Sequence, residues 1–279
     1  MSSRIIIEHG SKSKSYWKDI WNYRGLLYFL AWRDVLVRYK QTSIGIIWSL
    51  LKPLLTIAVM WFFGKLFKVP VPPGVPRILV VCAATLPWQF FSSAFSDASN
   101  SLLVNSNLLT KVYFPRLLIP ISSVLVCLID FLISFAILVM LLVAFRFNPG
   151  WKICFLPLFL GLAFIMAMGT GLFIAAMNVK FRDFRYIVPF IVQFGLYVSP
   201  VGFSSDFIYK HKSISEATKI IYSMNPMVGV IDGFRWCILG NSMSIYIPGF
   251  ITSVAISVLS LILGVWYFRK TEKSFADVI

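Results

Sequence analysis

Apolar residues in this sequence gather into six long runs, near Ile44–Phe67, Ile78–Phe95, Leu117–Phe145, Ile153–Val179, Tyr186–Phe203 and Tyr246–Phe268. A run of roughly 20 apolar residues is what the hydrocarbon core of a bilayer demands of a helix. The pattern therefore predicts an all-α membrane protein with six transmembrane helices. Two amphipathic segments come first. In Tyr16–Tyr28, Trp17, Ile20, Trp21 and Tyr28 share a stripe, with Lys18, Asp19 and Arg24 away from it. In Ala31–Lys40, Trp32, Val35, Leu36 and Tyr39 recur at i, i+3, i+4, i+7, opposite Arg33, Asp34 and Arg38. Such helices lie in the membrane interface, aromatic side down, or pack on their own domain, and the two are compatible.

Interruptions of the apolar pattern organise the rest. Lys52-Pro53 falls in the cytoplasmic half of the first run, where a lysine must snorkel or face a polar cavity and a proline bends the helix. The segment 69–76 (VPVPPGVP) forms the first outer loop. Asp97–Arg116 is polar, with Asn100, Asn105, Asn107 and Lys111, and returns the chain through Phe114-Pro115-Arg116. Beyond Phe203, Asn225 and Pro226 form an N-cap and N1 pair, and Gly240 follows Leu239 as a helix stop. The helix between, Met227–Leu239, is only about 20 Å long at 1.5 Å per residue. It carries Asp232 and Arg235 as well, so the expectation is a re-entrant helix pair, Ser215–Ser223 and Met227–Leu239, dipping into the outer leaflet before the last span. The domain reading is a cytoplasmic or interfacial N-terminus (1–30), a membrane domain (31–271) and a cytoplasmic tail (272–279).

Composition sharpens this picture. The chain has 58% hydrophobic and 13% charged residues, far from the quarter charged of a soluble domain. The net charge of +15 would suggest nucleic acid in a soluble protein. Here most basic residues fall on one side of the membrane once the N-terminus is placed inside. Both termini are therefore expected in the cytoplasm, with the charge serving orientation and lipid headgroups rather than nucleic acid. No cleaved signal peptide is expected, because Ser2–Ser15 is polar.

Candidate chemistry is sparse. Asp130 sits mid-run in the third span, where an acid is either a tie between helices or a functional group. The segment Asn178–Tyr186 mixes Lys180, Arg182, Asp183 and Arg185 with Phe181 and Phe184. It reads as a docking surface for a cytoplasmic protein, or as a plain positive-inside loop. Cys82, Cys127, Cys154 and Cys237 show no metal-ligand spacing, and His9 and His211 stand far apart, so no metal site is assigned. There is no G-x-x-x-x-G-K-[ST] loop, G-x-S-x-G elbow or H-E-x-x-H, and the 11 acidic residues are scattered singly. An enzyme is not expected.

Several segments together resemble the permease subunit of type-2 ABC exporters, in the branch that moves lipid-linked polysaccharides such as O-antigen. They are Trp32-Arg33-Asp34, Arg38–Thr42 running into Ser43–Leu54, Leu108–Arg116, Asn178–Asp183 and Tyr222–Met227. The resemblance implies a homodimer in the bacterial inner membrane, with two copies of a separate cytoplasmic ABC ATPase that binds the ATP and Mg; this chain itself needs no cofactor. It implies that Arg33, Asp34, Lys180, Arg182, Asp183 and Arg185 meet the ATPase, that the first and fifth spans line the conduit, and that the re-entrant pair, with Asn225, Pro226, Asp232 and Arg235, lies at the periplasmic exit. For an undecaprenyl-linked polysaccharide, Arg38, Lys40 and Lys52 are candidates to attract the diphosphate, and Trp61, Phe63, Phe190, Phe194 and Tyr197 to line the conduit. A teichoic-acid or capsule exporter would share these features. A proton-coupled carrier using Asp130 is the alternative of another class.

Overall fold

The computed structural model describes residues 13–40, 45–112, 114–181, 183–210, 214–240, 243, 245–272 and 275, and every regular element in it is helical. Helices α1 (Ser13–Asn22) and α2 (Arg24–Lys40) precede α3 (Gly45–Leu66), α4 (Arg77–Val104), the short α5 (Ser106–Lys111) and α6 (Leu118–Ala144). A 3-10 turn at Trp151–Phe155 leads into α7 (Leu156–Lys180), followed by α8 (Phe184–Val198), α9 (Asp206–Lys210), α10 (Glu216–Ser223), α11 (Pro226–Leu239) and α12 (Ile247–Thr271). Among the described residues, five segments are long and apolar enough to cross a bilayer: Ser49–Leu66, Arg77–Val104, Leu118–Ala144, Trp151–Lys180 and Ile247–Thr271.

The apolar run Tyr186–Phe203 yields a shorter helix than its length predicts. α8 has 15 residues, roughly 22 Å of rise against a hydrocarbon core of about 30 Å. Its end has a local cause. Ser199 precedes Pro200 and is extended (φ −85°, ψ 150°), because the proline ring crowds an α-helical residue before it. The opposite happens in α4. The polarity of the stretch from Asp97 predicts an exit from the helix, yet α4 runs on to Val104. Its polar side chains bond back to their own helix: Asn100 Nδ2 donates to Ser96 O (2.9 Å), Ser101 Oγ to Ala98 O (2.7 Å), and Asn105 Nδ2 to Ser101 O (3.0 Å). The side-chain donors of Asn100 and Ser101 are thereby paired inside the helix, and Asn105 stands at its C-cap.

α4 is the central pillar, packed against α6, α7 and α11. Ala83, Ala84, Ala94, Ala98 and Ser99 are buried on it, and small residues let helix backbones approach. Asn178 of α7 donates its Nδ2 to Ser99 O (2.7 Å) in the same interior. The Asn225 and Pro226 start of α11 is as expected, with Asn225 Oδ1 accepting from Met227 N (3.1 Å), and Gly240 closes it with φ +64°. Every residue of α11 except Trp236 is buried. Arg235 donates to Phe203 O (2.9 Å) and Val201 O (3.4 Å), Asp232 accepts from Ser205, and Asn225 Nδ2 donates to Ser199 Oγ (2.9 Å). The polar residues of α11 therefore fasten the segment that breaks away from α8. By contrast α3 and α8 expose most of their large apolar side chains.

At the other end, α1 is tied to the start of α6 and the end of α12. Glu272 Oε1 accepts from Tyr16 OH (3.0 Å) and Arg116 N (3.1 Å), and Arg269 lies 4.3 Å above the Tyr16 ring. Phe275, buried against Phe268 at 5.3 Å between ring centroids, completes the cluster. Burial pushes the Glu272 carboxyl above its ordinary value, while these donors pull it back. Glu272→Ala is expected to release α1, so that limited trypsin digestion at Lys18 and Arg24 accelerates several-fold while α4 stays protected. Unchanged digestion would show that the apolar contacts of α1 suffice to hold it.

Candidate functional site

Helix α2 brings one arginine against the helices of the bundle. Arg38 Nη2 lies 2.5 Å from Asp97 Oδ2 on α4, and its Nη1 lies 2.5 Å from Asp130 Oδ2 on α6. Asp130 Oδ1 accepts from Tyr39 OH and from Ser49 Oγ of α3 (3.1 Å), and Asp97 Oδ2 also accepts from Cys127 Sγ (3.3 Å). A planar guanidinium suits this task, since its fixed fork reaches two carboxylates at once. Four helices, α2, α3, α4 and α6, thus converge on one charge cluster. Asp130 has the partners its sequence neighbourhood lacks, and they come from α2 and α3.

The cluster forms one wall of a cavity of about 420 Å³. Lys52 and Pro53 of α3, Gln89, Phe90, Ser92, Ser93 and Ser96 of α4, Phe131 and Ser134 of α6, and Val192 of α8 also line it. Lys52 lines this cavity, one of the two outcomes open to a lysine at its position, and is otherwise exposed. Thr56 Oγ1 donates to Lys52 O (2.9 Å) beside the proline. A second cavity, of about 360 Å³, is wholly apolar and lies among α4, α7, α8 and α12.

The remaining predicted site residues are dispersed. Arg33 bonds to Asp34 (2.7 Å) and to Asn105 Oδ1 (2.7 Å), bracing α2 against the junction of α4 and α5. Lys180 sits 5.1 Å from the centre of the Phe181 ring, and Asp183 and Arg185 are exposed at the start of α8. Arg182, together with Ile44, His9 and His211, lies outside the described residues. Lys40 is exposed at the end of α2. Trp61 and Phe63 lie on the open face of α3, and Phe190, Phe194 and Tyr197 on that of α8, with the Phe190 and Phe194 rings 4.2 Å apart. None of these five lines either cavity. Sequence reasoning missed Asp97, Gln89, Ser93 and Ser96, which read as a loop or as span filler. Their spacing was the available signal: 89, 93 and 96 recur at i, i+4, i+7, a polar stripe along an apolar helix.

These features define a multi-pass helical membrane protein whose N-terminal helix α2 is ion-paired to α4 and α6. Residues 25–239 match the ABC-2 type transporter family, and the chain belongs to it. It is similar to the O-antigen export system permease protein RfbA of Myxococcus xanthus, with 26% identity over 94% of this chain and 98% of the relative. A permease of the same name from Klebsiella pneumoniae is 27% identical over 91% and 95%. The capsule polysaccharide export inner-membrane protein CtrC of Neisseria meningitidis is 24% identical over 78% and 80%.

Proposed function

We propose that this chain is the transmembrane permease subunit of an ATP-driven exporter that moves an undecaprenyl-linked polysaccharide of O-antigen type across the bacterial inner membrane. The observation that carries this reading is the similarity to O-antigen export permeases along almost the whole chain. A capsule exporter is the second reading, favoured by the likeness to the capsule permease over a shorter stretch. The working unit is a homodimer bound to two copies of a separate cytoplasmic ABC ATPase, with both termini in the cytoplasm, six crossings counting the short α8, and α10 and α11 re-entrant at the periplasmic side.

The mechanism follows from the connections of α2. ATP-driven closure of the ATPase pushes on Arg33 and Asp34 and on the loop Lys180–Arg185. Arg38 carries the motion of α2 to α4 and α6 through its two ion pairs. The exposed aromatic faces of α3 and α8 meet those of the second copy, and Trp61, Phe63, Phe190, Phe194 and Tyr197 then face the conduit. Because two carboxylates already engage Arg38, Lys40 and Lys52 are the cations left for the lipid diphosphate. Asp130 is held by the same arginine, which suits a structural tie better than a proton carrier.

Reversing charge in the loop, Asp183→Arg with Arg182→Asp, is expected to abolish export and to lose copurification of the ATPase, with membrane insertion intact. Normal export by this variant would remove the docking assignment.

A further inference from the structure

We propose that the polar cavity among α3, α4, α6 and α8 is a binding site, within each protomer, for the glycosyl-phosphate headgroup of a lipid. The phosphate sits at Lys52 and the adjoining sugar along Gln89, Ser93 and Ser96. This rests on the exporter reading and adds to it a place where the cargo's headgroup is held, apart from the aromatic faces of α3 and α8.

The polar groups of the cavity divide into committed and uncommitted sets. On the acceptor side, Asp130 uses both oxygens, for Arg38, Tyr39 and Ser49, and Asp97 Oδ2 takes Arg38 and Cys127. Ser92 donates to Gln89 O (3.1 Å) and Ser134 to Asp130 O (2.9 Å). On the donor side, Lys52 makes no ion pair among the described residues. Gln89 Nε2 is buried with no hydrogen-bond partner among the described residues. Ser93 and Ser96 extend the line of Gln89 by one and two turns, on the same face of α4. The cavity therefore offers one cation, one amide donor and two hydroxyls, and it asks for a ligand rich in acceptors.

The formal charge of the lining selects further. Arg38 and Lys52 balance Asp97 and Asp130, so a free polyanion gains little, whereas an anion at Lys52 followed by a neutral polyol fits. A buried amide left unmade is unfavourable, so a ligand oxygen at Gln89 removes a penalty as well as adding a bond. Phe90 and Phe131, with ring centroids 5.8 Å apart, both line the cavity and give the apolar face of a sugar ring a surface. A volume of about 420 Å³ lies within the range of small-ligand pockets. The Lys52 end lies in the cytoplasmic half of α3, and Gln89 is near the middle of α4, so the sugar enters deeper than the phosphate.

The test uses full-length protein in nanodiscs, coexpressed with its ATPase. Three probes are compared: polyprenyl diphosphate-linked glucose, polyprenyl diphosphate without sugar, and water-soluble glucose 1-phosphate. Wild type is expected to prefer the sugar-bearing lipid. The triple variant Gln89→Ala, Ser93→Ala, Ser96→Ala is expected to lose about tenfold in affinity for it, the equivalent of one or two hydrogen bonds to a polar ligand, and to bind the sugarless lipid as before. Lys52→Met is expected to weaken both lipids. Gln89→Glu keeps the size of the side chain and serves if the triple variant does not fold; it should lower affinity for both phosphate-bearing lipids. Triple-variant or Gln89→Glu affinities within twofold of wild type would overturn the site. Equal competition by glucose 1-phosphate would overturn the lipid as its source. The same samples are scored for ATPase copurification. Its loss in wild type overturns the exporter reading, while its presence with unchanged variant affinities overturns the site alone.

Discussion

Replacing Arg38 by alanine is expected to destabilise the protein by about 2–4 kcal/mol, because it leaves two carboxylates facing one cavity without their shared cation. The cluster is only partly buried, with side-chain exposures of 34% for Arg38, 34% for Asp97 and 25% for Asp130, which places the effect below that of a fully buried pair. Export should fall further than stability, since α2 also loses its connection to α4 and α6. Arg38→Lys is expected to restore part of the stability and little of the transport, because one ammonium does not reproduce a fork between two acids. Adding Asp97→Asn and Asp130→Asn to Arg38→Ala should recover stability without recovering export. Thermal aggregation in detergent and cargo export in cells read the two effects separately. An Arg38→Ala protein as stable and active as wild type would dismiss the cluster as a coupling element.

Gly264→Ala is expected to be as damaging, for a steric reason. A Cβ at Gly264 would lie 2.1 Å from the carbonyl oxygen of Gly169, and one at Gly169 would lie 2.5 Å from the backbone nitrogen of Leu261. The obstruction is backbone in both directions, so no side chain can rotate away. α7 and α12 must separate, at a cost of about 1–3 kcal/mol or more, as for other overpacked interiors. A Cβ at Gly161, on the same α7, would meet nothing within 4 Å, so Gly161→Ala is the matched control and should be neutral or slightly stabilising. Equal aggregation midpoints for the two variants would refute the close crossing.

The two effects differ in how far the sequence announces them. Gly264 reads as one more glycine in an apolar helix, and only its position opposite Gly169 gives it weight. Arg38 is legible as a basic residue on the polar face of an interfacial helix, and Asp130 as an isolated intramembrane acid. Their pairing is not, because 92 positions separate them and no local pattern spans that distance. Asp97 reads as part of a loop because polarity usually ends an apolar span; the returning hydrogen bonds of Asn100, Ser101 and Asn105 that pair these side chains depend on the helix already being there. The early end of α8 is legible, since Ser199 stands before a proline, but apolar content through Phe203 outweighs that local signal.

Read along the chain, the residues specify a helical membrane protein with amphipathic helices at its N-terminus, where α11 begins and ends, and which family its motifs resemble. Hydrophobic run length, capping residues and proline chemistry act within a few residues, so they can be read along the chain. Which helix is the pillar, that α11 is enclosed by protein, and that Arg38 bridges Asp97 and Asp130 beside a cavity whose Gln89 amide is unpaired among the described residues follow only from how the helices pack. Those outcomes depend on which helices touch, and close contact is set by small residues and charges meeting across long separations.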